Sequence, residues 1–210
     1  MKFRLTYEGK LLGASRNSPR AAHKNDIRLQ LHPQLKRLWQ ANAWLKDLAG
    51  LKFPKFAEAV KGQTLRNPGH WDNCQTYSEL LPLHHRHHGQ MWSPLIRQEM
   101  QLSCAVDILF LREGARGGIL NVGDIDGRLK TLFDALAIPR SPAGLPEPRP
   151  KDSIYVLLGD DSLISRVSVE TDELLQPTSS NVGQNDSRLV ITVNITPMIA
   201  NYFTLGFTGD

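Results

Sequence analysis

The sequence predicts an α+β fold, a single mixed β-sheet packed with helices and carrying insertions. Three observations lead there. Near the start, Phe3, Leu5 and Tyr7 alternate with Lys2, Arg4 and Thr6, the period of a half-buried strand. Near the end, RLVITVNI (188–195) reads as a second clear strand. Between them Ile125, Leu129, Leu132, Phe133 and Leu136 recur at helical spacing and bury one side of a helix.

The remaining elements follow in chain order. After the first strand, GASRNSPRAAHKND (13–26) mixes small polar residues with Arg16, Arg20, His23 and Lys24. It reads as a loop, either simply solvated or gripping phosphates. Pro33 suits the first turn of a helix, and Leu35, Leu38, Trp39, Leu45 and Leu48 continue at helical spacing until Gly50. Trp39 and Trp44 read as packing residues rather than base-stacking platforms. Residues 51–98 look irregular and read as an insertion. Within it, LHHRHHGQ brings together His84, His85, His87 and His88, bracketed by Pro82 and Gly89. With no cysteine or carboxylate at a ligand spacing, a solvated loop is favoured over phosphate contact or a metal site.

LSCAVDILFL (102–111) has strand character, and Gly114, Gly117 and Gly118 break the chain before the helix. A Pro-rich insertion over 138–152 separates that helix from the apolar YVLL. Residues 163–171 alternate as a strand, and TSSNVGQNDS reads as a turn or a mobile hairpin loop before the final strand.

At 210 residues the chain suits one well-buried domain, 1–210, including both insertions. Its 40% hydrophobic and 22% charged residues describe an ordinary soluble globular protein. The net charge of +4 weakly favours an anionic partner. The charged N-terminus lacks the apolar core of a signal peptide, and no stretch is apolar enough to span a membrane. Cys74 and Cys104 fit neither a zinc motif nor a disulfide framework, so a reducing cytoplasm is the simplest setting.

The chemistry concentrates in NVGDIDGRLKTLFDAL (121–136). Asp126, Lys130 and Asp134 recur every four residues on a face of the helix away from its apolar stripe, and Asp124 stands at its start. Carboxylates at a helix N-terminus usually cap free N–H groups. A second acidic pair, Asp160 and Asp161 after YVLL, adds another reading. Carboxylates converging on one helix start repel one another, and a divalent cation relieves that repulsion. Mg²⁺ takes hard oxygen ligands and keeps waters able to attack a phosphodiester, while Lys130 can contact the phosphate.

DIDGRLKTLFDAL followed by LLGDDSLISRVSV resembles the active-site region of RusA-type Holliday-junction resolvases. That family has an Asp-x-Asp-Asn-x-x-Lys motif opening a helix that ends in Asp-Ala-Leu, with a further aspartate just ahead of a strand. The likeness is close over residues 119–137 and 155–172, and elsewhere extends only to the order of elements. It implies Asp124, Asp126 and Asp161 as metal-binding catalytic carboxylates for Mg²⁺, or Mn²⁺ in its place, and Lys130 as the catalytic lysine. It also implies a homodimeric endodeoxyribonuclease of recombination and repair, acting on branched DNA such as a four-way junction and of prophage character. Arg16, Arg20 and Lys24 are the candidate DNA-binding residues. Gly127 replaces the family's Asn, and the 51–98 insertion has no counterpart in its compact members. A catalytically inactive DNA-binding protein on the same scaffold is the alternative.

Overall fold

The computed structural model describes residues 1–13, 20–54, 74–112, 125–145, 148–175, 187–200 and 204–208. Its principal sheet has four strands: β1 (Lys2–Gly9), β6 (Leu102–Arg112), β8 (Ile164–Glu173) and β9 (Ser187–Pro197). They lie in the order β1-β9-β6-β8. β9 runs antiparallel to both neighbours, whereas β6 and β8 are parallel, so the sheet is mixed, as the sequence predicts.

Period-two alternation decides which face each side chain takes. Leu5 faces Ile191, and Ile191 faces Ile108; all three are buried. On the opposite face, Arg4, Thr192, Asp107 and Ser168 stand side by side across the four strands. One face therefore carries the core and the other is polar.

Helix α1 (Arg20–Ala41) begins 13 residues before the Pro33 start that the sequence suggests. Ile27, Leu31, Leu35 and Trp39 recur every four residues and are buried, so packing of this stripe carries the helix through Pro33. The basic segment expected as loop is consequently helical from Arg20 onward. Asn42 then interrupts the helix and caps α2 (Ala43–Gly50), its side chain accepting the Leu45 N–H at 3.0 Å. α1 also shields an edge of the sheet. Gln34 exchanges hydrogen bonds with the Thr6 N–H and C=O at 2.9 and 2.7 Å. Gln30 does the same with Glu8, both at 2.9 Å. Two glutamines one turn apart thus substitute for a neighbouring strand along β1.

The expectation that 51–98 is irregular fails over 52–54 and 74–96, and residues 55–73 lie outside the described residues. β2 (Lys52–Pro54) pairs with β3 (Cys74–Thr76), followed by α3 (Tyr77–His84), β4 (Arg86–His87) and β5 (Gln90–Ile96). Trp92, Leu95 and Ile96 are buried, and β5 runs parallel to β7 (Ile154–Leu158) in a small sheet with β4. The continuous apolar burial of β5 hides the alternation by which a strand is usually recognised. The histidine run becomes a hairpin turn. His88 (φ 51°) and Gly89 (φ 85°) both take the left-handed conformation that tight hairpins need. His84, His87 and His88 are exposed there, in keeping with the solvated reading.

Helix α4 (Ile125–Leu136) is the predicted amphipathic helix. Its end is tied to β7: Ala137 bridges Leu158, and the Ile138 N–H donates to the Leu158 carbonyl at 3.2 Å. Ile138 and Leu145 then join Trp92, Ile154 and Val156 in a second small core. The start of the Pro-rich segment is therefore anchored, which fixes the surroundings of the candidate site. Among the described residues, no helix is long and apolar enough to cross a membrane.

Candidate active site

A cleft of about 480 Å³ opens where the first turns of α1 meet the C-terminal half of α4. α1 contributes Arg20, Lys24 and Arg28, which succeed one another every four residues and so share a face. α4 contributes Lys130 and Asp134, also four apart. The segment after α4 adds Arg140, and the turn between β7 and β8 adds Asp161. Five cationic side chains thus face two carboxylates, a surplus of three positive charges in one concavity. Such a surface attracts a polyanion.

Arg28 is the structural centre. Its guanidinium is 2% exposed and donates to the Asp134 carbonyl at 2.9 Å and to the Ala137 carbonyl at 3.1 and 3.3 Å. These oxygens belong to the last turn of α4 and the residue after it, so a cation caps the negative end of the helix dipole. Asn25 Oδ1 accepts a further hydrogen bond at 2.5 Å, and the guanidinium lies 5.5 Å from the centre of the Trp92 ring. Burial pulls its pKa down to about 10, with Asp134 opposing the shift. Lys24 ties the helices again, its Nζ 2.6 Å from Asp134 Oδ2. Two buried nitrogens of Arg20, Nε and Nη1, have no hydrogen-bond partner among the described residues.

On the far side, Arg140 bridges both acids of the 160–161 pair, reaching Asp160 at 2.9 Å and Asp161 at 2.5 Å. Asp160 caps the short turn over Asp161–Leu163, accepting the Ser162 N–H at 3.0 Å. Hydrogen bonds from Ser162, and then Arg140, hold its carboxyl down to about 2. Asp161 is the carboxylate that faces the cleft.

Four residues singled out from the sequence, Arg20, Lys24, Lys130 and Asp161, converge here. Asp126 is exposed on the first turn of α4, one turn before Lys130, and does not line the cleft. Asp124 and Arg16 lie outside the described residues. Among the described residues no three metal-ligating side chains cluster. Asp126, exposed, and Asp161, which Arg140 holds, carry hard carboxylate oxygens of the kind Mg²⁺ takes, and they are two of the three ligands the resemblance names. Arg28 and Arg140 escape the sequence reading. Arg28 becomes legible only when the helix starts at Arg20, because 20, 24 and 28 then form a stripe. Arg140 sits among prolines and glycine, with no local signal that it folds back onto Asp160 and Asp161. No family model, curated protein or solved structure matches the chain.

Proposed function

We propose that the protein is a Mg²⁺-dependent endonuclease that acts on branched DNA as a homodimer in the cytoplasm. The observation carrying this reading is the convergence of Lys130 and Asp161, 31 residues apart in sequence, in one cleft with Arg20 and Lys24. The resolvase resemblance and the basic composition of the sequence select these same positions for catalysis and DNA binding.

In this reading Asp124, Asp126 and Asp161 would hold the cation, and when bound it would supply Lewis-acid stabilisation and an activated water. Lys130 meets the developing charge on the scissile phosphate. Arg20 and Lys24 hold phosphates of the substrate backbone, a contribution that weakens with salt as counterions compete. The buried Arg28 contributes through position, because it fixes α4 against α1 and so sets the place of Lys130. A second reading, a DNA-binding protein without catalysis, is favoured by one observation: Arg140 already neutralises Asp161.

Cleavage of a four-way junction, a fork and a linear duplex, with Mg²⁺ and with chelator, separates the two readings. The nuclease should cut branched DNA only with the metal. Asp126→Asn should abolish cutting while junction binding is retained or tightened and the melting temperature is unchanged. Binding without cutting under every metal condition supports the second reading. Normal cutting by the Asn variant refutes the assigned site, and indifference of junction affinity to salt refutes the electrostatic grip.

A further inference from the structure

The principal sheet has two edges, and the chain treats them differently. Along β1 the backbone groups of Thr6 and Glu8 are satisfied by Gln34 and Gln30. Among the described residues β8, at the other edge, pairs only with β6. It is ten residues long and lacks the proline or lysine that commonly guards such an edge. Its irregularity lies at the start, between the partners of Cys104 and Ala105, and pairing with β6 is regular from Arg166 to Glu173. Ser165, Arg166, Val167 and Ser168 are all exposed. Val167 is the anomaly. It lies on the core side of the sheet, in register with the buried Val106, yet it is 41% exposed.

We propose that β8 pairs antiparallel with β8 of a second copy of this chain, about a two-fold axis at Ser168, joining two four-stranded sheets into one of eight. The strand's own sequence is the warrant. This register sets Arg166 opposite the partner's Glu170, and by symmetry Glu170 opposite the partner's Arg166. On the other face it sets Val167 against the partner's Val169. Charge meets opposite charge on the polar face, apolar meets apolar on the core face, and no two like charges stand directly opposite. Arg166 already binds Asp107 Oδ1 at 3.1 Å, so the partner's Glu170 completes a line of acid, base and acid across the seam. Among the described residues Glu170 has no ion-pair partner within the chain. The pairing also covers Val167.

The inference names the surface of the dimer proposed above and rests on that part of the reading, not on the metal chemistry. The test is sedimentation or light scattering of the full chain without DNA or metal. Wild type should be dimeric. E170R sets Arg opposite Arg at two symmetric places, and should raise the dimer dissociation constant roughly tenfold or more without loss of fold. R166E should do the same with Glu opposite Glu. The double variant R166E/E170R should dimerise again, and an equimolar mixture of the two single variants should form heterodimers. E170R leaves the Asp107–Arg166 contact intact, so it remains informative if R166E fails to fold. A wild type that is monomeric at every accessible concentration overturns the dimer and this surface together. A dimer indifferent to E170R overturns the surface alone. In both cases the cleavage experiment is untouched.

Discussion

Removing the Arg28 guanidinium should be among the most damaging single changes outside the hydrophobic core. Arg28→Met keeps an apolar stem against Trp92 but deletes the donors to the Asp134 and Ala137 carbonyls and to Asn25. A hydrogen bond from a charged donor contributes about 1.5–3 kcal/mol, and an orphaned buried acceptor costs about 1–3 kcal/mol. These terms are not additive, and the large desolvation cost of the buried cation disappears with it. The net loss should therefore be about 3–4 kcal/mol rather than the sum. For a chain of this size that corresponds to a fall in melting temperature of roughly 6–16 °C. Arg28→Lys retains the charge but loses the fork that reaches both carbonyls, and should fall between wild type and Met. Urea unfolding followed by tryptophan fluorescence measures the loss, with an unchanged denaturant slope indicating an intact native state. Equal stability of Arg28→Met and wild type would refute the argument, because the guanidinium would then offset no more than its own burial.

Gly206→Ala should destabilise by about 1–3 kcal/mol, the ordinary cost of overpacking. A Cβ there would overlap the Trp44 ring, and calorimetry should show a clear fall in melting temperature. His32 predicts a pH effect. Its Nδ1 accepts the Tyr155 N–H at 2.9 Å, while burial, then the Lys36 ammonium, lower its pKa, with Asp152 opposing. The folded state thus takes up a proton less readily than the unfolded chain, so stability should fall as pH drops below about 6.5. His32→Asn keeps an acceptor without the titration. Its stability relative to wild type should rise between pH 7 and 5, and parallel pH profiles for the two proteins would exclude the idea.

Much of the fold is legible without coordinates because strand and helix periods are written locally. The alternation of β1, β8 and β9 and the stripe of α4 each follow from residues within a dozen positions of one another. Pro33 misleads for the same reason. A local rule places it at a helix start, whereas the buried stripe from Ile27 to Trp39 holds the helix together around it. β5 is lost because a strand buried on both faces has no alternation to display, and histidines 84–88 give no hint of the hairpin that Gly89 closes.

The sequence by itself determined the types of element along most of the chain and marked residues proposed to do the chemistry: Lys130, Asp161, Arg20 and Lys24. It could do so because periodicity and side-chain chemistry are properties of short segments. Tertiary structure alone decided that these four meet in one cleft. It also decided that Arg28 becomes the cap of a helix about a hundred residues away, that Arg140 bridges Asp160 and Asp161, and that two glutamines close one edge of the sheet while, among the described residues, no strand pairs with the other. Each of these is a contact between distant segments. Such contacts depend on how the elements pack, and packing minimises the free energy of the whole chain rather than of any segment within it.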